Sequence, residues 1–483
     1  MNIILIIFDS LRKDCLGFHG KPPWGEVKTP NIDKFAKDSL VVDRGYPESL
    51  PTLPARRAIY TGKRVYPFKE KFNLKGDFQG ISPGWGPIPE EHPTLAEMLR
   101  EKGNYRTCLI SDCYHMFKPS KNFWRGFDQW MFLRGKELDP CKSGPLPGRS
   151  EIDHWLPEEF KAEKLSPGVK FNSSIPAETF NELLLIQSLM NIKDRKNEED
   201  YFCPRVMAES VKWLEQNLDS DRIFLTIDCW DPHEPWFVPE HYRKMYDLSN
   251  SREQVISIYN DVTGLDPKLI KRTRANYSGL VTMCDRWFGY LYDSIENLGL
   301  LKNTMIIFTS DHGHSIGDFN YLGKRGYPST PEVFDIPIIV RHPDYQYKGG
   351  KRSSIFAQHT DISAQILETA GVKPEGPIHG KPFLEAACRD DIKFRDHVTI
   401  GWGATVTFIN DRWWLNCKVN GEEAFLYDLG SRSPFTKNVA AENKKIARKL
   451  FETCKVDAGG SYPDYLLELA ALEHAPGCSI LAG

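Results

Sequence analysis

Asn2–Phe8 reads NIILIIF and runs straight into Asp9. Such an apolar, largely β-branched run fits a strand buried on both faces. It is too short to span a bilayer. It also lacks the longer apolar core and small-residue cleavage site of a secretory signal. Similar runs recur at Thr107–Ile110, Ile223–Ile227, Thr304–Thr309 and Ile336–Val340, and helix-patterned stretches lie between them at Thr94–Lys102, Val206–Asn217 and Arg274–Leu298. Strands alternating with helices predict an α/β fold whose parallel sheet is covered on both faces.

The pattern changes along the chain. Residues Phe117–Asn197, richer in Pro, Trp, Lys and Glu, predict long loops over the sheet. After Gly380, His397–Ile400, Thr405–Ile409, Trp413–Lys418 and Phe425–Tyr427 alternate like short antiparallel strands, and a polar helix follows near Ala440–Cys454. The expected division is a catalytic α/β unit over residues 1–380 and a smaller α+β subdomain over 381–483. Hydrophobic residues make up 41% and charged residues 26%, with a net charge of -3. No charge bias points to a nucleic-acid or membrane partner. The eleven cysteines are scattered and form no CxxC pair. Reduced thiols and a cytoplasmic location are the expectation.

Ligands of parallel sheets bind beyond the carboxyl ends of the strands. Three strand ends here carry metal-binding side chains. The first ends in Asp9. Ile223–Ile227 runs into Asp228, then Asp231 and His233. Thr304–Thr309 runs into Ser310, Asp311 and His312. Each ending alone is more often a turn or a cap. Three together form a plausible oxygen and nitrogen set for Mn²⁺, Zn²⁺ or Ca²⁺. Ser49–Gly62, SLPTLPARRAIYTG, offers a hydroxyl at Thr52 just ahead of a helix-like run. A helix start favours anions, although Thr52 in isolation reads first as a simple helix cap.

The ordered set of motifs resembles the sulfatase family of the alkaline phosphatase superfamily. Ile6–Gly20 and Thr29–Ala36 resemble its N-terminus. Thr52–Gly62 is similar to the signature Cys/Ser-x-Pro-x-Arg with its trailing Thr-Gly. His92–Leu99 and Tyr105–Ser111 resemble the helix and strand that follow. Ser310–Asp318, Phe356–Gly380 and Tyr427–Leu429 resemble later family elements. The resemblance implies an alkaline-phosphatase-like large mixed sheet sandwiched by helices, with a smaller C-terminal α+β subdomain. It implies one divalent metal (Mn, Zn or Ca) held by Asp9, Asp311 and His312, with the Thr52 oxygen beside it. Arg56 would hold the nucleophile loop and offset negative charge. Lys324 and His233 would contact the transferred group or protonate the leaving group.

Departures from the family are informative. Sulfatases carry a Cys or Ser that is oxidised to formylglycine; Thr52 is not expected to undergo that conversion. A sulfated threonine has no C–O exit, so water would have to attack sulfur, whereas a phosphorylated threonine is cleared by water at phosphorus. Ser10 replaces a common second Asp, and with His312 this resembles the phosphonate monoester hydrolase pattern. Cys113-Tyr114-His115 replaces a Lys-Trp-His element, keeping His115 as a catalytic candidate. In an alternative, Asp228 or Asp231, His233 and His359 hold a second metal. His314 is an even choice between substrate contact and loop residue. The aromatic segment Trp230, Trp236 and Phe237 reads first as packing.

The expected activity is hydrolysis of a phosphodiester, phosphonate monoester or sulfate ester through a covalent Thr52 intermediate. The rivals are an inactive anion-binding relative and a phosphotransferase or mutase. The expected partner is a small anionic ester, with no nucleic acid and no membrane. Family habit allows a homo-oligomer. Leaving-group contacts are expected in the loops at Pro67–Pro89 and Trp124–Asn197.

Overall fold

The computed structural model describes residues 1–72, 82–118, 120–160, 175–345, 347, 349–389 and 392–472. Parts of both expected leaving-group loops, residues 73–81 and 161–174, lie outside the described residues.

In chain order the first strands are β1 (Asn2–Phe8), β2 (Leu40–Tyr46), β3 (Ser49–Leu50), β4 (Arg106–Ser111), β5 (Gln129–Phe132) and β6 (Ile223–Cys229). After them come β7 (Asn260–Asp261), β8 (Thr304–Ser310), β9 (Ser315–Asp318), β10 (Tyr321–Gly323), β11 (Ile336–Arg341) and β12 (Lys351–Gln358). The last four are β13 (His397–Trp402), β14 (Thr405–Asn410), β15 (Trp413–Lys418) and β16 (Phe425–Asp428).

Eight strands form one sheet in the order β12-β2-β11-β8-β1-β6-β4-β5. β1 lies at its centre and pairs in parallel with β6 and β8. Its residues alternate between two cores. Ile4, Ile6 and Phe8 pack on one face with the helices Phe202–Gln216 and Pro267–Asn297. Ile3, Leu5 and Ile7 pack on the other face with Thr52–Thr61, Leu95–Gly103 and His359–Ala370. A strand sandwiched in this way must be apolar along its length, which accounts for Ile3–Phe8, while Asn2 at its start accepts from the Ile223 amide at 3.2 Å.

The sheet is mixed, as the family resemblance implies. The purely parallel sheet expected from strand and helix alternation is corrected at one strand: β11 runs antiparallel to both β8 and β2. The segment expected as loops also holds a buried helix, Phe180–Ile192. β13–β16 form a second, antiparallel sheet. β3 adds to its edge in parallel with β13. A shared core of Tyr46, Leu50, Val333, Phe334, Val398, Ile400 and Trp414 joins the two sheets. Among the described residues the cysteines are free thiols, and no helix is long and apolar enough to cross a membrane.

Candidate active site

The parallel strands align their carboxyl ends along one edge, and the polar residues gather there. β1 delivers Asp9, β8 delivers Asp311 and His312, and β6 carries Asp228 at its penultimate position. β3 leads through Pro51 into the Thr52–Thr61 helix. Thr52, Arg56 and all four of these acidic and imidazole groups are buried.

The turn after β1 is held from several sides. Ser10 has a left-handed backbone, φ 60°, a conformation that costs a non-glycine residue roughly 1–3 kcal/mol. Its amide donates to Asp311 Oδ1 at 3.0 Å and its hydroxyl to Asp9 Oδ1 at 2.8 Å. The Tyr277 hydroxyl donates to the Ser10 carbonyl at 2.8 Å and accepts from the Arg12 amide at 3.0 Å. Asp9 and Asp311 are thereby fixed side by side.

Arg56 sits among three carboxylates. Its Nη1 donates to Asp9 Oδ2 at 2.9 Å, to Asp311 Oδ2 at 2.7 Å and to the Thr52 carbonyl at 3.3 Å. Its Nε and Nη2 donate to Asp228 at 2.8–3.1 Å. Tyr60, one helical turn later, donates to Asp228 Oδ2 at 3.2 Å. His312 Nδ1 is 2.8 Å from the Gly313 carbonyl. That bond makes Nδ1 the donor and leaves Nε2 with its lone pair facing the site. Nε2 lies 3.5 Å from Thr52 Oγ1, and Lys324 Nζ donates to the same oxygen at 3.3 Å. Thr52 is not the helix cap: Pro51 holds that position, with no side-chain cap bond.

Electrostatics separates the two central carboxyls. Burial alone would raise Asp9, but Arg56, aided by His233, Lys324 and His312, holds it well below the usual range. Burial and then the Asp9 charge push Asp311 well above it. Burial also lifts Asp228 against the pull of Arg56. Burial, reinforced by Lys324, lowers His312 to about 3, so its ring is neutral. Three carboxyls against Arg56 and Lys324 leave excess negative charge in a water-poor place, which is costly unless compensated. Asp9, Asp311 and His312 each offer a ligand atom, all within 4.8 Å of one another. Two carboxylates, one neutral imidazole and uncompensated negative charge fit a divalent cation.

The alternative second set does not converge. Among the described residues, Asp9, Asp311 and His312 are the single group of this kind. Asp228 is spent on Arg56 and Tyr60, as above. Asp231 pairs with Lys136 and accepts from the Cys203 amide. His359 Nε2 lies 3.0 Å from the Ser310 carbonyl.

The remaining candidates sit around this centre. His233 Nδ1 bonds the Glu234 carbonyl at 2.7 Å, and its ring lies 4.3 Å from that of Trp230. His115 is one ring further back: it flanks Trp230 and Trp85, with Nε2 2.8 Å from Glu137. His314 is fully buried, its ring 6.5 Å from His233 and 5.5 Å from Trp236. Sequence reasoning missed Tyr60, Glu234, Tyr259 and Tyr277. Tyr60 was findable, four residues after Arg56 and on the same helix face. Tyr277 and Tyr259 arrive from distant segments that carry no local signal.

A family model described as Sulfatase matches residues 1–372. The chain belongs to the sulfatase family. It is a sulfatase-like ester hydrolase. A multifunctional alkaline phosphatase superfamily protein of Trinickia caryophylli is 24% identical over 79% of this chain and 76% of its own length. An arylsulfatase of Clostridium perfringens is 24% identical over 82% of this chain and 80% of its own. The crystal structure of a phosphonate monoester hydrolase of Agrobacterium radiobacter superposes with a TM-score of 0.67 at 20% identity, covering 95% of each chain. At that identity the likeness speaks for the sulfatase-type fold alone.

Proposed function

We propose that this sulfatase-family enzyme cleaves a phosphorus ester, a phosphodiester or phosphonate monoester, through a covalent Thr52 ester. The observation that carries the proposal is the placement of Thr52 Oγ1. It stands in the first turn of a helix, 3.3 Å from Lys324 Nζ and 3.5 Å from His312 Nε2, facing the Asp9, Asp311 and His312 group. A divalent cation bound by those three residues would supply positive charge beside the Thr52 oxygen and the transferring group.

The chain's own residues do the rest. Thr52 Oγ1 forms a bond to phosphorus as the bond to the leaving oxygen breaks, and the threonine proton leaves with the departing alcohol. Lys324 and the helix N-terminus hold the anionic oxygens. Water then attacks phosphorus and the Thr52 oxygen departs. His233 suits the proton traffic of this second step. Its Nδ1 is committed to the Glu234 carbonyl, and burial, with Lys324, holds the ring well below its ordinary pKa. Nε2 is the unprotonated nitrogen left to pass the water proton to Thr52. Phosphorus is preferred because a threonine ester can be cleared by water at phosphorus, while a sulfated threonine lacks the C–O exit of a formylglycine hydrate.

The test is turnover of an aryl sulfate, a bis-aryl phosphodiester and an aryl phosphonate monoester by enzyme loaded with Mn²⁺, Zn²⁺ or Ca²⁺. The same substrates are run with Thr52→Ala. Phosphorus-ester turnover lost in the variant, with little sulfate turnover in either protein, is expected. Strong sulfate turnover that depends on Thr52 would overturn the phosphorus preference.

A further inference from the structure

Beside the reaction centre, three buried polar atoms have no hydrogen-bond partner among the described residues: Glu234 Oε2, His314 Nδ1 and His314 Nε2. Such atoms are few in a folded protein, and a group of them beside a reaction centre calls for an explanation. These lie together. His314 Nδ1 is 3.9 Å from Glu234 Oε2, which is 3.3 Å from His233 Nδ1. Trp236 and Tyr259 wall the His314 ring at 5.5 and 6.0 Å.

Glu234 is held in place. The Tyr259 hydroxyl donates to its Oε1 at 2.6 Å. Tyr259 has a left-handed backbone, φ 52°, and its carbonyl accepts from the Tyr321 hydroxyl at 2.8 Å. Only a glycine fits opposite: a Cβ on Gly323 would come within 2.8 Å of the Tyr259 Cα. Lys324 is the next residue, so the support for Glu234 and the cation on Thr52 are neighbours at the end of β10. Burial lifts the Glu234 carboxyl to about 7, with Lys324 the foremost opposing influence.

We propose that Glu234 and His314 contact the leaving group and select one that carries a hydroxyl beside the ester oxygen over one that carries none. A hydroxyl donates and accepts at once. It therefore satisfies Glu234 in either protonation state, and either nitrogen of His314. A plain hydrocarbon satisfies neither and leaves both buried and unpaired, which penalises it. The inference rests on the reading of Thr52 as the centre of ester cleavage.

The test uses matched esters, trans-2-hydroxycyclohexyl and cyclohexyl, each as the sulfate and as the methyl phosphodiester. The full chain, Glu234→Gln, Glu234→Ala and His314→Gln are compared by the ratio of kcat/KM for the hydroxylated ester to that for the plain one. A wild-type ratio of about ten or more, falling to within about threefold of unity in Glu234→Ala and His314→Gln, is expected for lost buried hydrogen bonds. Glu234→Gln keeps the side-chain shape and guards against misfolding. A wild-type ratio near unity, or one that survives in both Glu234→Ala and His314→Gln, overturns the proposal. The same ratio is read as calorimetric affinity in the Thr52→Ala protein, so it is measured even if Thr52 is not the nucleophile. Binding of neither ester overturns it as well.

Discussion

Arg56 and Lys324 both face Thr52, yet their burdens differ. Arg56 pairs with Asp9, Asp228 and Asp311 in a fully buried place. Removing it would leave buried carboxyls unpaired, a change costing about 3–5 kcal/mol, so its loss would report on folding before chemistry. Lys324 is 7% exposed, and its hydrogen bond runs to Thr52 Oγ1. Lys324→Ala is therefore expected to lower kcat by about 10²–10³-fold, as for a lost charge-stabilising donor, while thermal unfolding shifts little. Steady-state kinetics beside a melting curve checks this; unchanged kcat would remove Lys324 from the chemistry. Much of this centre was legible in the sequence. Asp9, Thr52, Arg56, Asp311, His312 and Lys324 lie in motifs whose order along the chain carries the signal. Glu234 was not legible as a contact, because its partners Tyr259 and His314 come from separate loops. Asp228 was open between a second-metal ligand and a simple turn or cap, and its bond to Arg56 is a fact of tertiary structure.

At the scale of elements, the strands that read clearly are those with both faces buried. β1, β6 and β8 show it, since burial on two sides writes itself into every residue. The direction of β11 did not read, because a strand's composition is the same whichever way it runs. The helix Phe180–Ile192, FNELLLIQSLMNI, is buried nearly all round, so it lacks the 3.6-residue alternation that marks a surface helix. The helix His359–Ala370 shows how closely elements meet at the site. A Cβ on Gly380 would stand 1.9 Å from the Thr360 carbonyl oxygen and 2.8 Å from the Asp361 amide, in the first turn of that helix. Gly380→Ala must displace backbone and is expected to lower Tm by more than about 4 °C, as for a loss of several kcal/mol. Gly148→Ala, with nothing near its Cβ although it caps the helix Arg149–Trp155, is the control and should lower Tm far less than Gly380→Ala. Calorimetry of both distinguishes local crowding from a general effect of alanine.

At the scale of the molecule, the two sheets are joined through residues that feed the site. β3, immediately before Thr52, is an edge strand of the second sheet. The Gly401 amide donates to the Glu48 carbonyl at 3.2 Å, and the buried Glu48 carboxyl accepts from the Val65 amide at 2.9 Å. The approach to Thr52 is thus built partly by the C-terminal residues. A chain cut to residues 1–380 would expose the core of Tyr46, Leu50, Phe334 and Phe356. It is expected to be insoluble or to lack a cooperative melt. A soluble, cooperatively melting fragment would show that the first unit folds alone.

The central claim is that Thr52 carries the transferred group. The direct measurement is peptide mass spectrometry after acid quench of metal-loaded enzyme turning over a bis-aryl phosphodiester. A mass gain of one substrate-derived phosphoryl group on the peptide containing Thr52, absent from Thr52→Ala, is the predicted result. Undiminished turnover by Thr52→Ala, or a gain on some other residue, would contradict it.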